Sequence, residues 1–228
     1  MSISWWDRLL WQLGFAICHQ EPDRLLRFGD RSLFVCSRDT GLFVSFFTVL
    51  LFTSFLRGRK RGGWPPWPLT LFAIAGIFFL AWDGSTSYLG YRESSNLMRF
   101  FSGLTAGGGL ALLVAPWFNR TLFGADRRLK AASRPADLLA VLLAGGLPAA
   151  LFLTRPRPLF IFAQAWLAIS ILGTFWSLNL LLVSLLSEKR SPGFSLHKAF
   201  AACLLTVLEL GGSYALHRAL LNRGPAPL

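Results

Sequence analysis

Charged side chains are scarce in this chain of 228 residues, and acidic residues are the scarcest of them. Only 15% of the residues are charged, with 11 acidic against 23 basic residues, whereas a soluble domain has roughly a quarter. Hydrophobic residues make up 54% of the chain, and the mean hydropathy is +0.50. This composition argues against a soluble globular domain. The net charge of +12 does not indicate nucleic-acid binding, because the basic residues separate long apolar runs.

Several motifs are absent, and each absence removes a class of function. The sequence has no haem-attachment motif, phosphate-binding glycine loop, nucleophile elbow or His-Glu-x-x-His motif. It has three cysteines but no Cys-x-x-Cys pair, which disfavours a redox-active thiol motif. It also has no symmetric repeat of the kind that is typical of secondary transporters.

Long apolar segments are abundant, and they predict the fold. A helix that crosses a bilayer needs about 20 mostly apolar residues. Six segments reach or approach that length: Gly41–Leu56, Pro68–Trp82, Asn96–Pro116, Ala136–Phe152, Leu159–Leu186 and Ala199–Leu216. We therefore predict an all-α, polytopic helical membrane protein with about six transmembrane helices. Residues 1–228 are expected to form a single integral membrane domain, in which residues 41–219 are the six-helix bundle.

The N-terminal segment Ile3–Cys18 is apolar but too short to span a bilayer comfortably. Trp5, Trp6 and Trp11 alternate there with polar residues, and indole rings favour the membrane interface. We predict an interfacial or partial helix, followed within residues 1–40 by an extracytoplasmic segment that contains Cys18 and His19. A cleaved signal peptide is a poorer interpretation, because a basic n-region is missing.

The distribution of basic residues predicts the orientation in the cell membrane. Twelve basic residues, including all four lysines, fall in one set of connecting loops: Arg57, Arg59, Lys60, Arg61, Arg120, Arg127, Arg128, Lys130, Arg134, Lys189, Arg190 and Lys198. We expect this set to face the cytoplasm. The N-terminal segment, residues 83–95 and residues 155–157 are then expected on the extracytoplasmic side.

Three polar motifs fall on that outer side. They are Cys18-His19-Gln20-Glu21-Pro22-Asp23-Arg24, then Cys36-Ser37-Arg38-Asp39-Thr40-Gly41, and then Asp83-Gly84 with Arg92, Ser94, Asn96 and Arg99. Together they resemble an uncharacterised domain-of-unknown-function family of small polytopic bacterial and archaeal membrane proteins with a Cys-His-Gln signature. The resemblance covers about residues 15–110. It implies a membrane fold and a shared polar site, and it implies no established activity.

Cys18, His19 and Cys36 are the candidate metal ligands. Thiolate and imidazole are preferred ligands of zinc at tetrahedral sites, so zinc is the expected cofactor. Asp83 is a candidate fourth ligand or general base. The side chains of neighbouring residues in a helix point about 100° apart, so Cys18 and His19 cannot easily bind one ion from a regular helix. The chain must turn there, and Pro22 is consistent with a helix end nearby. The alternative is a structural disulfide between Cys18 and Cys36, since an extracytoplasmic compartment is oxidising.

The candidate substrate-binding residues are Arg38, Asp39, Arg92, Asn96 and Arg99. Guanidinium groups bind phosphate or carboxylate in a fork, and Arg99 lies about one turn inside a span, where a charge is costly. We therefore expect an anionic lipid or isoprenoid-type ligand. The alternative is that the acidic and basic residues pair only with each other across the helical hairpin.

Glu209 is an ionisable residue inside the sixth predicted span, and such residues generally face a bundle interior with a partner. We expect it to close the polar pocket from within, paired with Arg99, and we group it with Asp83 as a candidate catalytic residue. A purely structural pair is the alternative. Two functions from different classes follow: a zinc-supported site for an anionic lipid, or a non-enzymatic membrane subunit that has a Cys18–Cys36 disulfide and docks a protein partner.

Overall fold

The computed structural model describes residues 5–56, 59–130, 135–187 and 193–221. These residues form seven α-helices: α1 Trp5–Phe15, α2 Ser37–Leu51, α3 Trp67–Tyr88, α4 Asn96–Phe123, α5 Pro135–Thr154, α6 Phe160–Leu186 and α7 Leu196–Leu221. A π-helical turn, Phe52–Leu56, continues α2. Four short strands accompany the helices: β1 Leu25–Phe28, β2 Arg31–Cys36, β3 Arg61–Gly63 and β4 Asp126–Lys130.

Five helical segments of the described ranges are long and apolar enough to cross a membrane. They are Ser37–Phe55, Trp67–Tyr88, Asn96–Phe123, Arg157–Leu186 and Leu196–Leu221. At the position of the remaining predicted span, Ala136–Phe152, the backbone forms the 20-residue helix α5. α1 has 11 residues, and at about 1.5 Å per residue it is too short for a hydrocarbon core of roughly 30 Å. The prediction of a polytopic helical membrane protein with a partial N-terminal helix is confirmed; Ile3, where that segment was expected to begin, lies outside the described residues.

One end of the bundle gathers the N-terminal segment and the ends of several helices. Ser213 Oγ of α7 donates to the backbone carbonyl of Ala16 (2.5 Å), and Asn96 Nδ2 of α4 donates to that of Asp23 (2.8 Å). The Phe28 ring of β1 meets the Phe152 and Phe160 rings of α5 and α6 edge-on. We call this end, which contains Cys18 and Cys36, the thiol end.

The opposite end carries basic residues of the predicted cytoplasmic set, and we call it the basic end. There β3 and β4 pair in parallel, so the α2–α3 connection is joined to the segment that follows α4. Asn119 Nδ2 of α4 adds a hydrogen bond to the backbone carbonyl of Arg61 (3.1 Å). Four predicted members of the set, Arg57, Arg134, Lys189 and Arg190, lie outside the described residues.

Helix α2 is the centre of the bundle, and its closest neighbour is α4. Gly41 of α2 lies against the backbone of Phe100, while Gly103 of α4 lies against the backbone carbonyl of Arg38. A Cβ atom at either glycine would collide with the facing main chain. Small residues at such contacts let membrane helices approach closely, and Ser45 Oγ uses the proximity to donate to the carbonyl of Leu104 (2.7 Å).

A β-hairpin between α1 and α2 was not expected from the all-α prediction. β1 and β2 pair antiparallel, with Phe28 opposite Arg31, so that Gly29 and Asp30 form the loop. Gly29 has φ 70°, a conformation that two-residue hairpin loops need and glycine adopts at no steric cost. The Phe34 side chain of β2 is fully buried. The hairpin is therefore part of the hydrophobic core and holds the end of β2 in a fixed place.

Candidate functional site

Cys18 and Cys36 meet because the end of α1 is fastened to β2. Cys18 lies just beyond α1, and Gln20, with φ 55°, turns the chain away from the helix. The side-chain amide of Gln20 donates to the backbone carbonyls of Trp11 (2.9 Å) and Phe34 (2.8 Å). Cys36 is the last residue of β2 and the residue that precedes the first turn of α2. The turn predicted beside Cys18 is therefore present, and it brings the two thiols together.

Cys18, Cys36 and Asp39 form a group of possible metal ligands. One ligand atom from each of the three lies within 4.8 Å of the others, and all three residues are partly buried. Cys36 Sγ donates to Asp39 Oδ2 at 3.1 Å, a contact that the first turn of α2 makes possible. Zinc bonds to sulfur at about 2.3 Å and to carboxylate oxygen at about 2.0–2.2 Å, so one ion between these atoms needs only small side-chain adjustments.

The two thiols of this group differ in acidity. A hydrogen bond from Cys36 stabilises the Cys18 thiolate and lowers the pKa of Cys18. The same hydrogen bond raises the pKa of Cys36, and burial and the Asp39 carboxylate raise it further. At a given pH, Cys18 therefore has the larger thiolate fraction of the two. A thiolate of this kind is the form that binds a soft metal ion.

Asp83 of α3 is the centre of a second polar group. Its side chain is fully buried, and Arg38 Nη2 approaches Oδ2 at 2.5 Å while Arg92 Nη2 approaches Oδ1 at 2.6 Å. Ser94 Oγ donates to Oδ1 (2.6 Å) and Ser102 Oγ donates to Oδ2 (3.1 Å). One carboxylate thus joins α2, α3, the α3–α4 connection and α4. Both of its oxygens already accept hydrogen bonds, which suits it to positioning the arginines.

A cavity of about 370 Å³ lies beside the thiol group. Its walls carry both acidic and basic side chains, and the residues that line it are Ile17, Cys18, His19, Glu21, Arg24, Cys36, Arg38, Asp39, Leu42, Leu80, Gly84, Tyr88 and Arg99. We call it the thiol pocket. The guanidinium groups of Arg24 and Arg38 lie 5.5 Å and 6.0 Å from the centre of the Tyr88 ring. The pocket therefore combines possible metal ligands with three arginines.

Of the other predicted substrate-binding residues, one lines the pocket, and two contact residues outside its lining. Arg99 lines the pocket, with weak hydrogen bonds to Asn96 Oδ1 (3.4 Å) and Ser87 Oγ (3.5 Å). Asn96 instead holds the start of α4 to the backbone before β1, through the carbonyl of Asp23. Arg92 lies over the Trp82 ring at 4.5 Å and reaches the site only through its ion pair with Asp83.

His19 lines the pocket but is not in the ligand group of the described residues. Its ring lies edge-on to the ring of His217, with 4.9 Å between the ring centres, and His217 Nδ1 is 2.7 Å from the carbonyl of Phe15. The chain turns after His19, at Gln20, but this turn does not bring the His19 ring into the ligand group of the described residues. Asp39, assigned from sequence to substrate binding, occupies the place that the sequence interpretation gave to His19.

Glu209 lies apart from the thiol pocket, which differs from the predicted pairing with Arg99. Its carboxylate accepts a hydrogen bond from Asn179 Nδ2 of α6 at 2.8 Å, and the same amide contacts Thr206 Oγ1 at 3.2 Å. α7 packs on α6 and α1, whereas α4, which carries Arg99, packs mainly on α2 and α3. The helix order therefore separates the two residues.

Several residues of the site were missing from the predicted set, among them Glu21, which lines the pocket, and Ser94, which donates to Asp83. Arg24 and Tyr88 line the pocket, and Ser102 completes the hydrogen bonds to Asp83. Arg24 belongs to the first polar motif, and Ser102 lies one turn after Arg99 on α4, so spacing along the chain offers a signal for both. Tyr88 has no comparable signal, because its placement depends on where α3 ends.

The sequence comparisons concern the part of the chain that forms this pocket. Residues 18–113 match the family described as "Predicted membrane protein (DUF2085)". An uncharacterized protein of Methanothermobacter thermautotrophicus is 37% identical over 97 residues, which are 42% of this chain and 83% of that protein. The chain therefore belongs to the DUF2085 family. An uncharacterized protein of Methanocaldococcus jannaschii is 28% identical over 115 residues, which are 50% of this chain and 71% of that protein. No solved structure matches the chain.

Nearly all residues that line the thiol pocket lie within the segment that matches the DUF2085 family. The matched residues begin at Cys18 and end within α4, so they include Cys36, Asp39, Asp83 and Arg99. Glu209 and helices α5 to α7 lie beyond them. The residues that match the family model therefore contain the hairpin, α2, α3 and most of α4 of this chain, which are the elements that build the pocket.

Proposed function

We propose that the thiol pocket binds a zinc ion through Cys18, Cys36 and Asp39 and holds the anionic headgroup of a membrane lipid on its arginines. The observation that carries the proposal is the convergence of three possible ligands, within 4.8 Å of one another, on a cavity that Arg24, Arg38 and Arg99 also line. Three protein ligands leave the fourth tetrahedral position of zinc to a water molecule or a ligand, as in catalytic zinc sites.

Two thiolates and a carboxylate are a donor set that suits zinc. Sulfur ligands select soft or borderline ions over magnesium and calcium, which prefer oxygen. The lowered pKa of Cys18 favours the deprotonated ligand before any ion arrives. Cys36, which donates its proton to Asp39 in this structure, would have to lose that proton to solvent in order to serve as a thiolate ligand.

The arginines give the pocket its preference for an anion. Asp83 holds Arg38 by Nε (3.1 Å) and Nη2 (2.5 Å), so the orientation of this guanidinium is fixed before a ligand binds. Among the residues that the structure describes, Arg99 makes only long hydrogen bonds, which leaves its guanidinium able to bind a phosphate or carboxylate. In this proposal Asp83 is a positioning residue, and a zinc ion held by Cys18, Cys36 and Asp39 would supply Lewis acidity to the pocket.

The proposal places the thiol end on the extracytoplasmic side. The support is the predicted cytoplasmic set of basic loops, several of which gather at the opposite end of the molecule. A lipid headgroup is the ligand chemistry that fits best, because the pocket adjoins the membrane-spanning part of α2, α3 and α4.

Metal analysis of the purified protein tests the zinc site. We expect about one zinc per chain in the wild type and loss of nearly all of it in Cys18→Ser and in Cys36→Ser. Cys203→Ser is the matched control, because Cys203 is an exposed residue of α7 outside the ligand group. Its zinc content is expected to equal that of the wild type.

The second candidate function has a distinct outcome in the same samples. The two cysteines of the site are free thiols here, but their proximity also suits a disulfide. If peptide mass spectrometry finds Cys18 bonded to Cys36 and metal analysis finds no zinc, the metal site is refuted. A non-enzymatic membrane subunit with a structural disulfide is then the better interpretation.

A further inference from the structure

We infer that the basic end carries a binding site for the headgroup of an anionic phospholipid, separate from the thiol pocket. The site is a cavity of about 590 Å³ between the start of α3 and strand β4. Three basic side chains line it, from Arg127, Arg128 and Lys130, together with the aromatic rings of Trp64 and Trp67.

The basic residues of this site lie on a strand that backbone hydrogen bonds hold in place. Strand β4 exposes all five of its residues, yet it is anchored because it pairs in parallel with β3, with Gly63 opposite Lys130. Gly63 packs against the carbonyls of Arg127 and Leu129, where a Cβ atom would not fit. The basic side chains therefore start from a fixed strand, which lowers the entropy cost of closing them around a ligand.

The local charge favours an anion. Among the described residues that line the cavity, three are basic and none is acidic. The acid nearest to them along the strand is Asp126, and its Oδ1 accepts a hydrogen bond from the backbone N–H of Arg128 at 2.8 Å. That contact involves the main chain of Arg128 and not its guanidinium, and Arg128 is one of the residues that line the cavity. A phosphate group supplies the oxygen acceptors that two arginines and a lysine require.

The surroundings indicate a lipid phosphate in preference to a soluble one. Trp64 and Trp67 are 50% and 69% exposed, and indole rings concentrate at the headgroup level of membranes. From this cavity α3 continues with exposed apolar side chains, among them Leu71, Phe72 and Phe78. A phospholipid can therefore place its phosphate on β4 while its acyl chains lie along the outer face of α3.

Native mass spectrometry of the detergent-solubilised full chain tests this inference. The protein is titrated with phosphatidylglycerol and, separately, with phosphatidylcholine of the same chain length. We expect tighter binding of phosphatidylglycerol by the wild type. A basic residue near an anionic lipid surface contributes about fivefold in affinity, so Arg127→Gln with Arg128→Gln is expected to weaken that binding roughly twenty-five-fold. Lys130→Gln alone is expected to weaken it about fivefold.

The matched control removes the same charge at the thiol end. Arg155 and Arg157 are exposed in the α5–α6 connection. The double variant Arg155→Gln, Arg157→Gln is expected to retain wild-type phosphatidylglycerol binding. Equal losses in the two double variants would mean that net charge alone attracts the lipid, and they would overturn the site. Wild-type protein that binds both lipids equally would overturn it as well. So would displacement of the lipid by glycerol 3-phosphate at an equal concentration, because that result identifies a soluble phosphate site.

Discussion

Asp83 is the residue whose substitution is expected to disturb the thiol end most. It is fully buried and accepts hydrogen bonds from two arginines and two serines that come from three different parts of the chain. Removing one partner of a buried ion pair leaves the other charge without compensation, which is more costly than the pair itself is favourable. The two arginines are themselves partly buried, and they would lose the carboxylate that both of them contact.

Asp83→Asn is therefore expected to lower the free energy of unfolding by about 3–5 kcal/mol. The measurement is the unfolding midpoint in mixed detergent micelles. Glu93→Gln is the control, because Glu93 is exposed in the same α3–α4 connection, and its midpoint is expected to be unchanged. An unchanged midpoint for Asp83→Asn would show that the ion pairs contribute little.

The two thiols of the pocket are expected to differ in reactivity once bound metal has been removed by a chelator. The pKa of Cys18 is lowered and the pKa of Cys36 is raised, so at neutral pH Cys18 has the larger thiolate fraction. Cys18 is expected to react with iodoacetamide several times faster than Cys36, because the thiolate is the nucleophile. Peptide mass spectrometry over time measures both rates in one sample. Faster labelling of Cys36 would contradict the assigned direction of the pKa shifts.

Sequence reasoning at the scale of residues identified most of the polar groups but not all of their partners. Spacing on either side of the α3–α4 connection was enough to place Asp83 near Arg92. The metal-ligand group was harder to predict from the sequence, because the choice between His19 and Asp39 depends on the turn at Gln20 and on the residue at which α2 begins. The partner of Glu209 depended on the order in which the helices pack, and hydropathy contains no information about that order.

At the scale of elements, the contact between α2 and α4 is the one that the pocket most depends on. Arg38 and Asp39 lie on α2, and Arg99 lies on α4, so the distance between the two helices sets the width of the pocket. Gly103 faces the carbonyl of Arg38 without room for a side chain, whereas Gly108 has no atom nearer than 3.9 Å to an added Cβ. The same helix thus offers one glycine that its neighbour requires and one that it does not.

Gly103→Ala is expected to destabilise the protein by about 1–3 kcal/mol, because the added methyl group forces α2 and α4 apart. Gly108→Ala is expected to be neutral or to stabilise the protein by up to about 1 kcal/mol, since alanine has the higher helix propensity. Thermal unfolding of both variants in one detergent gives the comparison. A smaller loss for Gly103→Ala than for Gly108→Ala would refute the close contact.

The spanning helices were predictable from hydropathy, while the strands between them were not. Long apolar runs identify a membrane helix with few alternatives, and the predicted and observed helices overlap at every span. The residues Arg61–Gly63 and Asp126–Lys130 form strands only because they meet each other across the bundle. That pairing depends on the tertiary structure, so the local sequence gives no signal for it.

At the scale of the whole molecule, the two ends differ in chemistry and are expected to face different compartments. Single cysteines introduced at Glu93, at the thiol end, and at Lys60, at the basic end, test this in intact cells with a membrane-impermeant maleimide. Both variants carry Cys18→Ser, Cys36→Ser and Cys203→Ser, so each has one thiol. We expect labelling at position 93 in intact cells and at position 60 only after lysis. The reverse pattern would invert the orientation and remove the argument from an oxidising compartment.

The parallel pair of β3 and β4 also bears on how the protein moves. It links the α2–α3 connection to the segment after α4 by backbone hydrogen bonds, so the basic ends of α3 and α4 are coupled to each other. At the thiol end the same two helices are joined by the α3–α4 connection and by Asp83, which accepts hydrogen bonds from Ser94 of that connection and Ser102 of α4. Helices α3 and α4 are therefore fastened to each other near both faces of the membrane. Any opening of the bundle that admits a lipid to the thiol pocket is expected to move these two helices as a unit.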